Sequence, residues 1–175
     1  MMNKKITVFG SGAVPKDSEE WKIAYRIGQL LAQKGFIVVN GGYGGSMEAA
    51  HQGAKEAGGT TIGITTDQFA GSTKNKFVDD EIRMTRWCER LHRLAEVGDG
   101  FIVLNGGTGT LTELMVVLEM QNKRMHLKPV VILGSEIKKF LQNVLKSPNF
   151  FLPPLVCTVD SPEDAVQYLE GEIFQ

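Results

Sequence analysis

The chain has 175 residues, a formal net charge of −1, 42% hydrophobic residues and 22% charged residues. This length suits one globular domain, and the near-neutral charge excludes the basic excess that drives sequence-independent binding to nucleic acid. Cys88 and Cys157 lie far apart and are interpreted as reduced thiols. The apolar run at 6–9 is too short for a signal-peptide core or a membrane span. We therefore predict a cytoplasmic protein that contacts no membrane.

Six short apolar runs are predicted as β-strands. Runs of this kind, without polar alternation, are typical of strands that are buried on both faces of a parallel sheet. In chain order they are 6–9, 36–39, 62–65, 101–104, 130–133 and 156–159. The first, second and fourth runs lead directly into the richest glycine clusters of the chain, and ligands bind beyond the carboxyl ends of such strands.

Helical patterns separate these runs. The predicted helices cover 21–33, 46–57, 82–97 and 111–122, and Ser161-Pro162 opens a last one. The first has its apolar stripe at Ile23, Ile27, Leu30 and Leu31, with Gly35 as C-cap residue, and Ser46 is the expected N-cap of the second. The alternation predicts an α/β fold, a Rossmann-like doubly wound parallel sheet, as a single nucleotide-binding domain over 1–175. The polar segment 68–79 is predicted as a mobile loop near the site.

The most informative segment runs from the fourth strand into a helix through a glycine-rich turn. Glycine lets the backbone turn sharply and lets a ligand approach without a Cβ in the way. The free amides and the dipole of the helix that follows attract an anion. The predicted phosphate-binding residues are Gly106, Gly107, Thr108, Gly109 and Thr110. A tight turn that binds nothing is the alternative.

The glycine motifs also narrow the choice of ligand. A P-loop requires lysine after its glycines, but Leu111 follows Thr110 here, which argues against ATP hydrolysis. A dinucleotide fingerprint requires G-x-G-x-x-G, and 10–15 supplies only G-x-G, while the second strand ends in Asn40 instead of an acid. A nucleoside monophosphate, or another ligand with one phosphate, fits better. The residues expected to contact the rest of the nucleotide are Ser11, Gly12, Gly41, Gly42, Arg86 and Trp87.

Four arginines recur at helical spacing before the phosphate-binding turn. On the predicted helix 82–97 one face would carry Arg83, Arg86, Arg90 and Arg93. For Arg83 and Arg93 a solvated basic face is an equal alternative. Arg86 and Arg90 favour a functional interpretation, because this helix precedes the strand that feeds the turn and arginine suits bidentate phosphate recognition.

Glu113 lies four residues after Gly109, one turn into the predicted helix. If the turn holds a 5′-phosphate, the attached ribose would extend past this carboxylate. A carboxylate beside C1′ can stabilise an oxocarbenium-like transition state and orient water, as in glycoside cleavage. The alternative is a favourable interaction with the positive end of the helix.

The segment from Trp87 to Glu113 resembles the LONELY GUY (LOG) phosphoribohydrolases, also called possible lysine decarboxylases. The family has two signatures, MxxRK and PGGxGTxxE. The position of the first is occupied here by WCERL at 87–91, and the second is matched, except for its first residue, by NGGTGTLTE at 105–113. The resemblance implies that Arg90 and Glu113 are catalytic. It also implies that a homodimer or larger homo-oligomer, without a cofactor, cleaves nucleoside 5′-monophosphates, cytokinin nucleotides included, to a free base and ribose 5-phosphate.

Three residues depart from the LOG signatures. Trp87 stands in place of Met, Leu91 in place of Lys, and Asn105 in place of Pro. The turn GGYGGSMEA is similar to that of a neighbouring branch that includes molybdenum-cofactor carrier proteins, which bind a phosphate-bearing pterin. A non-catalytic binding or carrier protein is therefore the alternative function. A pyridoxal-phosphate decarboxylase is disfavoured, because no lysine adjoins the phosphate turn in sequence. The three histidines lack metal-ligand spacing, so no metal is predicted.

Overall fold

The computed structural model describes residues 4–174, which form a seven-stranded parallel sheet flanked by six helices. The strands are β1 (Lys5–Phe9), β2 (Ile37–Asn40), β3 (Thr61–Thr66), β4 (Asp80–Met84), β5 (Gly100–Val103), β6 (Val130–Ile132) and β7 (Val156–Thr158). The helices are α1 (Glu19–Gln33), α2 (Ser46–Glu56), α3 (Trp87–Val97), α4 (Thr108–Asn122), α5 (Ser135–Val144) and α6 (Pro162–Ile173). The strand order β4-β3-β2-β1-β5-β6-β7 confirms the predicted Rossmann-like, doubly wound fold.

The direction in which the sheet grows reverses beside β1. β1 pairs with β2 on one side and with β5 on the other, with Ile6 opposite both Val38 and Gly100. The loops that leave the carboxyl ends of β1 and β5 therefore diverge to opposite faces and open a crevice. The turn at Ser11 follows β1 and the glycine-rich turn at 106–110 follows β5, so the topology brings both to this crevice.

Two apolar layers cover the sheet. One is built mainly from α1, α2 and α6, and the other from α3, α4 and α5. α1 and α2 pack closely because Gly28 and Gly53 lie at their contact: a Cβ on Gly28 would lie 1.9 Å from the Ala50 carbonyl oxygen, and one on Gly53 would lie 2.0 Å from that of Tyr25.

The buried face of α1 differs in part from the predicted stripe. Ile27 and Leu31 are fully buried as expected, but Ile23 is 37% exposed. The buried positions of the helix are Trp21, Ala24, Ile27, Gly28 and Leu31. The prediction selected the largest aliphatic residues, whereas close packing against α2 selects small ones on the inner face.

The predicted helix 82–97 is wrong at its start. Residues 80–84 form β4, an edge strand in which Ile82 pairs with Ile64 of β3, and the helix begins only at Trp87. Arg83 therefore lies on a strand, where its guanidinium pairs with Asp67, and the predicted stripe of four arginines does not exist. α5 was also missed, although Ile137 and Leu141 on its inner face are buried at helical spacing.

Three predicted helix ends can be compared with the structure. Ser161 caps α6 by accepting a hydrogen bond from the Asp164 amide, and Pro162 is its first residue, as predicted. Gly35 follows α1 with a positive φ of 78°, as a C-cap glycine should. Ser46 is not the N-cap of α2: Gly45 occupies that position, and the Ser46 hydroxyl donates to the Ser11 carbonyl oxygen. No helix within residues 4–174 combines the length and apolar character needed to cross a bilayer.

Candidate functional site

A cleft of about 280 Å³ opens where the loops after β1, β2 and β5 meet. The sequence-predicted residues that line it are Ser11, Gly12, Trp87, Arg90, Gly107, Thr108, Gly109, Thr110 and Glu113. Its further lining residues are Gly10, Tyr43, Met47, Phe69 and Leu91. Gly41, Gly42, Arg86 and Gly106 were predicted to contact the ligand, but they do not line the cleft.

The glycine-rich turn at 106–110, predicted to bind phosphate, brings the N-terminus of α4 to the cleft. Gly107 is the N-cap of α4 and supplies no side-chain cap, and the first intrahelical bond of the turn joins the Leu111 amide to the Gly107 carbonyl oxygen over 3.0 Å. A Cβ on Gly107 or Gly109 would meet nothing within 4 Å, whereas one on Gly106 would lie 2.1 Å from the Thr110 hydroxyl. Gly106 is thus required by packing, while Gly107 and Gly109 leave a space suited to an anion at the helix N-terminus.

Arg90 is a buried cation at the base of the cleft. The residue is 5% exposed; its Nε donates to the Ile64 carbonyl oxygen over 2.7 Å and its Nη2 donates to that of Gly41 over 3.3 Å. The rings of Tyr43 and Phe69 lie 5.4 and 5.3 Å from its guanidinium carbon, within range of cation–π attraction. Burial lowers the pKa of Arg90 and the charge of Glu113 raises it, but a guanidinium remains protonated in proteins.

The glycines after β2 make room for Arg90. A Cβ on Gly41 would lie 2.0 Å from Arg90 Nη2, so no larger residue fits there without displacing the guanidinium. Gly42 has a positive φ of 78°, which favours glycine. These two residues therefore shape the wall behind Arg90, and their predicted contact with a nucleotide stays a prediction. The same holds for Arg86, the exposed N-cap of α3.

Glu113 faces Arg90 across the cleft. Its Oε1 lies 4.0 Å from Arg90 Nη1, and its side chain is 15% exposed. Burial raises the pKa of Glu113 from 4.5 to about 7, against the opposing effect of Arg90. A carboxyl group with this pKa populates both protonation states at neutral pH, which suits proton transfer. Carboxyl groups with strongly shifted pKa values in clefts are candidates for function.

Aromatic residues that the sequence analysis did not select form another wall. Tyr43 and Phe69 have ring centroids 5.8 Å apart, and the Thr66 amide donates to the Tyr43 hydroxyl over 2.9 Å. Phe69 belongs to the polar segment that was predicted to lie near the site, and it does border the cleft. Tyr43 interrupts a run of glycines, and Phe69 interrupts a polar run. These two aromatic exceptions were the available sequence signals.

The three departures from the LOG signatures lie in different surroundings. Leu91 lines the cleft, and Trp87 lies at its mouth with 42% exposure. Asn105 does not line the cleft: its Oδ1 accepts from the Glu136 amide over 2.9 Å, and its Nδ2 donates to Glu20 Oε1 over 2.9 Å. Asn105 therefore connects the glycine-rich turn to α5 and α1.

In the described part of the chain, neither a metal site nor a lysine accompanies Arg90 at the cleft. Within residues 4–174, no cluster of three or more His, Cys, Asp or Glu side chains could hold a metal ion. The cleft lining formed by these residues includes no lysine. Arg90 is thus the cation that this part of the chain supplies to the cleft.

Comparison with known proteins places the chain among LOG-like proteins. Residues 3–166 match the SLOG cluster4 family. An uncharacterized protein of Archaeoglobus fulgidus is 36% identical over 129 residues, which cover 74% of this chain and 83% of that one. The cytokinin riboside 5′-monophosphate phosphoribohydrolase of Rhodococcoides fascians is 32% identical over 141 residues, covering 75% of this chain and 68% of that protein. The molybdenum cofactor binding protein of Rippkaea orientalis superposes with a TM-score of 0.81 at 29% identity, over 99% of both chains.

Proposed function

The chain belongs to the SLOG cluster4 family, and from this premise we propose that it is a nucleoside 5′-monophosphate phosphoribohydrolase. In this proposal the described cleft belongs to one nucleotide-binding domain that spans 1–175. The enzyme cleaves the N-glycosidic bond and releases a free base, a cytokinin or a purine, together with ribose 5-phosphate. The relative from Rhodococcoides fascians, whose name states this activity for cytokinin riboside monophosphates, supports the assignment.

The observation that carries the proposal is the pairing of Glu113 with Arg90 beside the open N-terminus of α4. The Glu113 carboxyl lies 4.0 Å from the Arg90 guanidinium and one helical turn beyond Gly109. A phosphate held by the amides of 108–110 would direct its ribose along α4 towards Glu113. A helix that supplies both an anion site and a carboxylate one turn later suits a ligand with one phosphate and a reactive C1′.

The proposed reaction uses Glu113 in its ionised form. As the bond between C1′ and the base nitrogen breaks, its electron pair leaves with the base, and the carboxylate stabilises the positive charge that develops at C1′. A water molecule adds to C1′; Glu113 accepts its proton, and the departing base nitrogen is protonated in turn. Arg90 holds the carboxylate in position. Since the pKa of Glu113 in the unliganded protein is about 7, kcat/KM should rise as pH increases through neutrality.

The test is direct. The purified protein is incubated with AMP and with cytokinin riboside 5′-monophosphates, and the free base is measured by chromatography. Release of base from a monophosphate, with little or none from the corresponding nucleoside, is the expected result, because the nucleoside lacks the group that α4 binds. Absence of base release from every monophosphate, at high enzyme concentration, would refute the hydrolase assignment.

A second function is favoured by one observation in the cleft. Leu91 lines it where the LOG signature has a lysine, so a charge expected for that hydrolase is missing. The likeness to the molybdenum cofactor binding protein of Rippkaea orientalis supports a carrier of a phosphorylated cofactor such as molybdopterin. Retention of a fluorescent pterin through purification, without turnover of monophosphates, would select the carrier over the hydrolase.

The proposal includes a homo-oligomer of two or more chains, as the LOG resemblance implies. The outer face of α4 is apolar, with a groove of about 580 Å³ that is lined chiefly by Leu111, Met115, Val116 and Met120. Apolar surface of this kind on a helix is typical of protein interfaces. A second copy of the chain on this face would lie next to Thr108 and thus close to the mouth of the cleft.

A further inference from the structure

The wall of the cleft opposite the phosphate-binding turn depends on an irregular segment. Residues 67–79 connect β3 to β4 without forming a helix or a strand. Phe69 in this segment contacts the cleft, with its ring 5.8 Å from that of Tyr43 and 5.3 Å from the Arg90 guanidinium carbon. The position of this ring therefore depends on whatever holds the segment in place.

Asn75 attaches the segment to the turn after β2, while Gln68 and Asp79 attach its two ends to Trp87 and Thr61. It is 8% exposed, and its amide donates to the Gly42 carbonyl oxygen over 2.8 Å. Its side-chain Nδ2 lies 3.1 Å from that same oxygen and 2.8 Å from the carbonyl oxygen of Tyr43. Its Oδ1 accepts from the Phe77 amide over 3.1 Å. One side chain thus joins the segment to the turn that carries Tyr43.

His51 of α2 lies behind this attachment. It is fully buried, and its Nδ1 is 3.4 Å from Asn75 Nδ2. Burial lowers the pKa of His51 to about 4, so the ring is neutral near physiological pH and Nδ1 can accept a hydrogen bond from the Asn75 side-chain amide.

We propose that Asn75 is a positioning residue for the ring-binding end of the cleft: it holds residues 67–79 on the Gly42–Tyr43 turn and so sets Phe69 against Tyr43 and Arg90. The inference rests on the proposed function only in taking the bound ring to be the base of a nucleoside monophosphate. Within residues 4–174, the hydrogen bonds of Asn75 include none to the amides of 108–110, so the phosphate end of the ligand is expected to be independent of it. Asn75 thereby determines how well a planar ring is accepted, while the phosphate is held by α4.

Two ligands allow binding at the two ends of the cleft to be measured independently. Ribose 5-phosphate probes the phosphate end, and AMP adds the ring; both dissociation constants are measured by calorimetry. Asn75→Asp has nearly the same shape and keeps the acceptor to Phe77, but it removes the donor to the two carbonyl oxygens. It is expected to weaken AMP binding about tenfold or more, while ribose 5-phosphate binding stays within about twofold. Lys76→Ala, at an exposed position of the same segment, is the matched control and should leave both constants unchanged.

A double-mutant cycle distinguishes positioning from a general loss of stability. Phe69→Ala should weaken AMP binding by a similar factor, and adding Asn75→Asp should weaken it no further, because Asn75 acts through the Phe69 ring. If Asn75→Asp does not fold, Asn75→Ala, which also lacks the donor to the two carbonyl oxygens, is judged by the same criteria.

Equal weakening of both ligands, additivity with Phe69→Ala, or AMP binding as tight as in the wild type would overturn the proposal. Equal wild-type affinity for the two ligands would also overturn it, because the ring end would then contribute nothing. These binding measurements do not require turnover. A protein that releases no base but shows the expected selective loss of AMP binding would refute the hydrolase assignment and support the role of Asn75.

Discussion

Replacing Glu113 with glutamine is expected to abolish turnover and, at the same time, to make the folded protein more stable above neutral pH. Glutamine has nearly the shape of a protonated glutamate but cannot ionise. The Glu113 side chain is 15% exposed, and burial raises its pKa from 4.5 to about 7. The folded protein therefore stabilises the neutral form, and wild-type Glu113 must ionise in an unfavourable environment in order to act.

The size of the effect follows from proton linkage. Between pH 4.5 and about 7 the folded state binds more protons at this group than the unfolded state, so stability is lost as pH rises through this range. Each pH unit is worth about 1.4 kcal/mol, and the full interval gives about 3 kcal/mol. Glu113→Gln should match the wild type near pH 4 and exceed it by about 3 kcal/mol near pH 8. For a chain of this length that corresponds to a rise in Tm of roughly 6–12 °C.

The assay is urea unfolding of both proteins across this pH range, with ribose 5-phosphate binding as a check that the phosphate site is intact. Taking the difference between variant and wild type at each pH isolates Glu113 from every other titrating group. A difference that does not change with pH would refute the burial argument. A destabilised variant at about pH 8 would mean that the contact with Arg90 outweighs desolvation, and a variant that still turns over would remove Glu113 from the mechanism.

Gly109→Ala should raise stability by about 0.5–1 kcal/mol, because alanine is the better helix former and its Cβ would meet no atom within 4 Å. The same change should weaken phosphate binding. Gly171→Ala in α6, where a Cβ is equally free of contacts, is the control and should gain stability only. Leu91→Lys should increase the affinity for AMP and steepen its salt dependence in titrations at two ionic strengths, because the side chain reaches the cleft. Wild-type stability should fall by about 3 kcal/mol as pH decreases from 6.5 to about 4, because the folded state holds His51 neutral. His51→Gln should lack this loss, so the difference between the two proteins in acid unfolding curves should grow as pH falls. Met115→Glu should convert an oligomer to a monomer in sedimentation experiments if α4 forms the interface; an unchanged mass would contradict that location.

Short-range patterns were sufficient for the fold class and for locating the glycine-rich turn before α4. Apolar runs that end in glycine predicted a parallel sheet, and the turn before α4 predicted open amides, because both depend on residues a few positions apart. The pairing of Arg90 with Glu113 came from the LOG resemblance, and family membership confirms that resemblance. The edge strand β4 was missed because its exposed, polar residues lack the apolar pattern of the buried strands.

Long-range contacts determined the rest of the site. Arg90 can be buried because carbonyl oxygens 26 and 49 residues earlier in the chain accept hydrogen bonds from it, and no local sequence pattern indicates such partners. The shift in the pKa of Glu113 has the same origin, since desolvation depends on everything that packs around a side chain. In the sequence, Asn75 and Phe69 belong to a segment predicted only as a polar loop. In the structure they contact the Gly42–Tyr43 turn. The sequence by itself determined the parallel sheet and the glycine-rich turn before α4, and the tertiary structure alone decided which side chains surround the cleft, because burial and charge pairing arise only when distant segments meet.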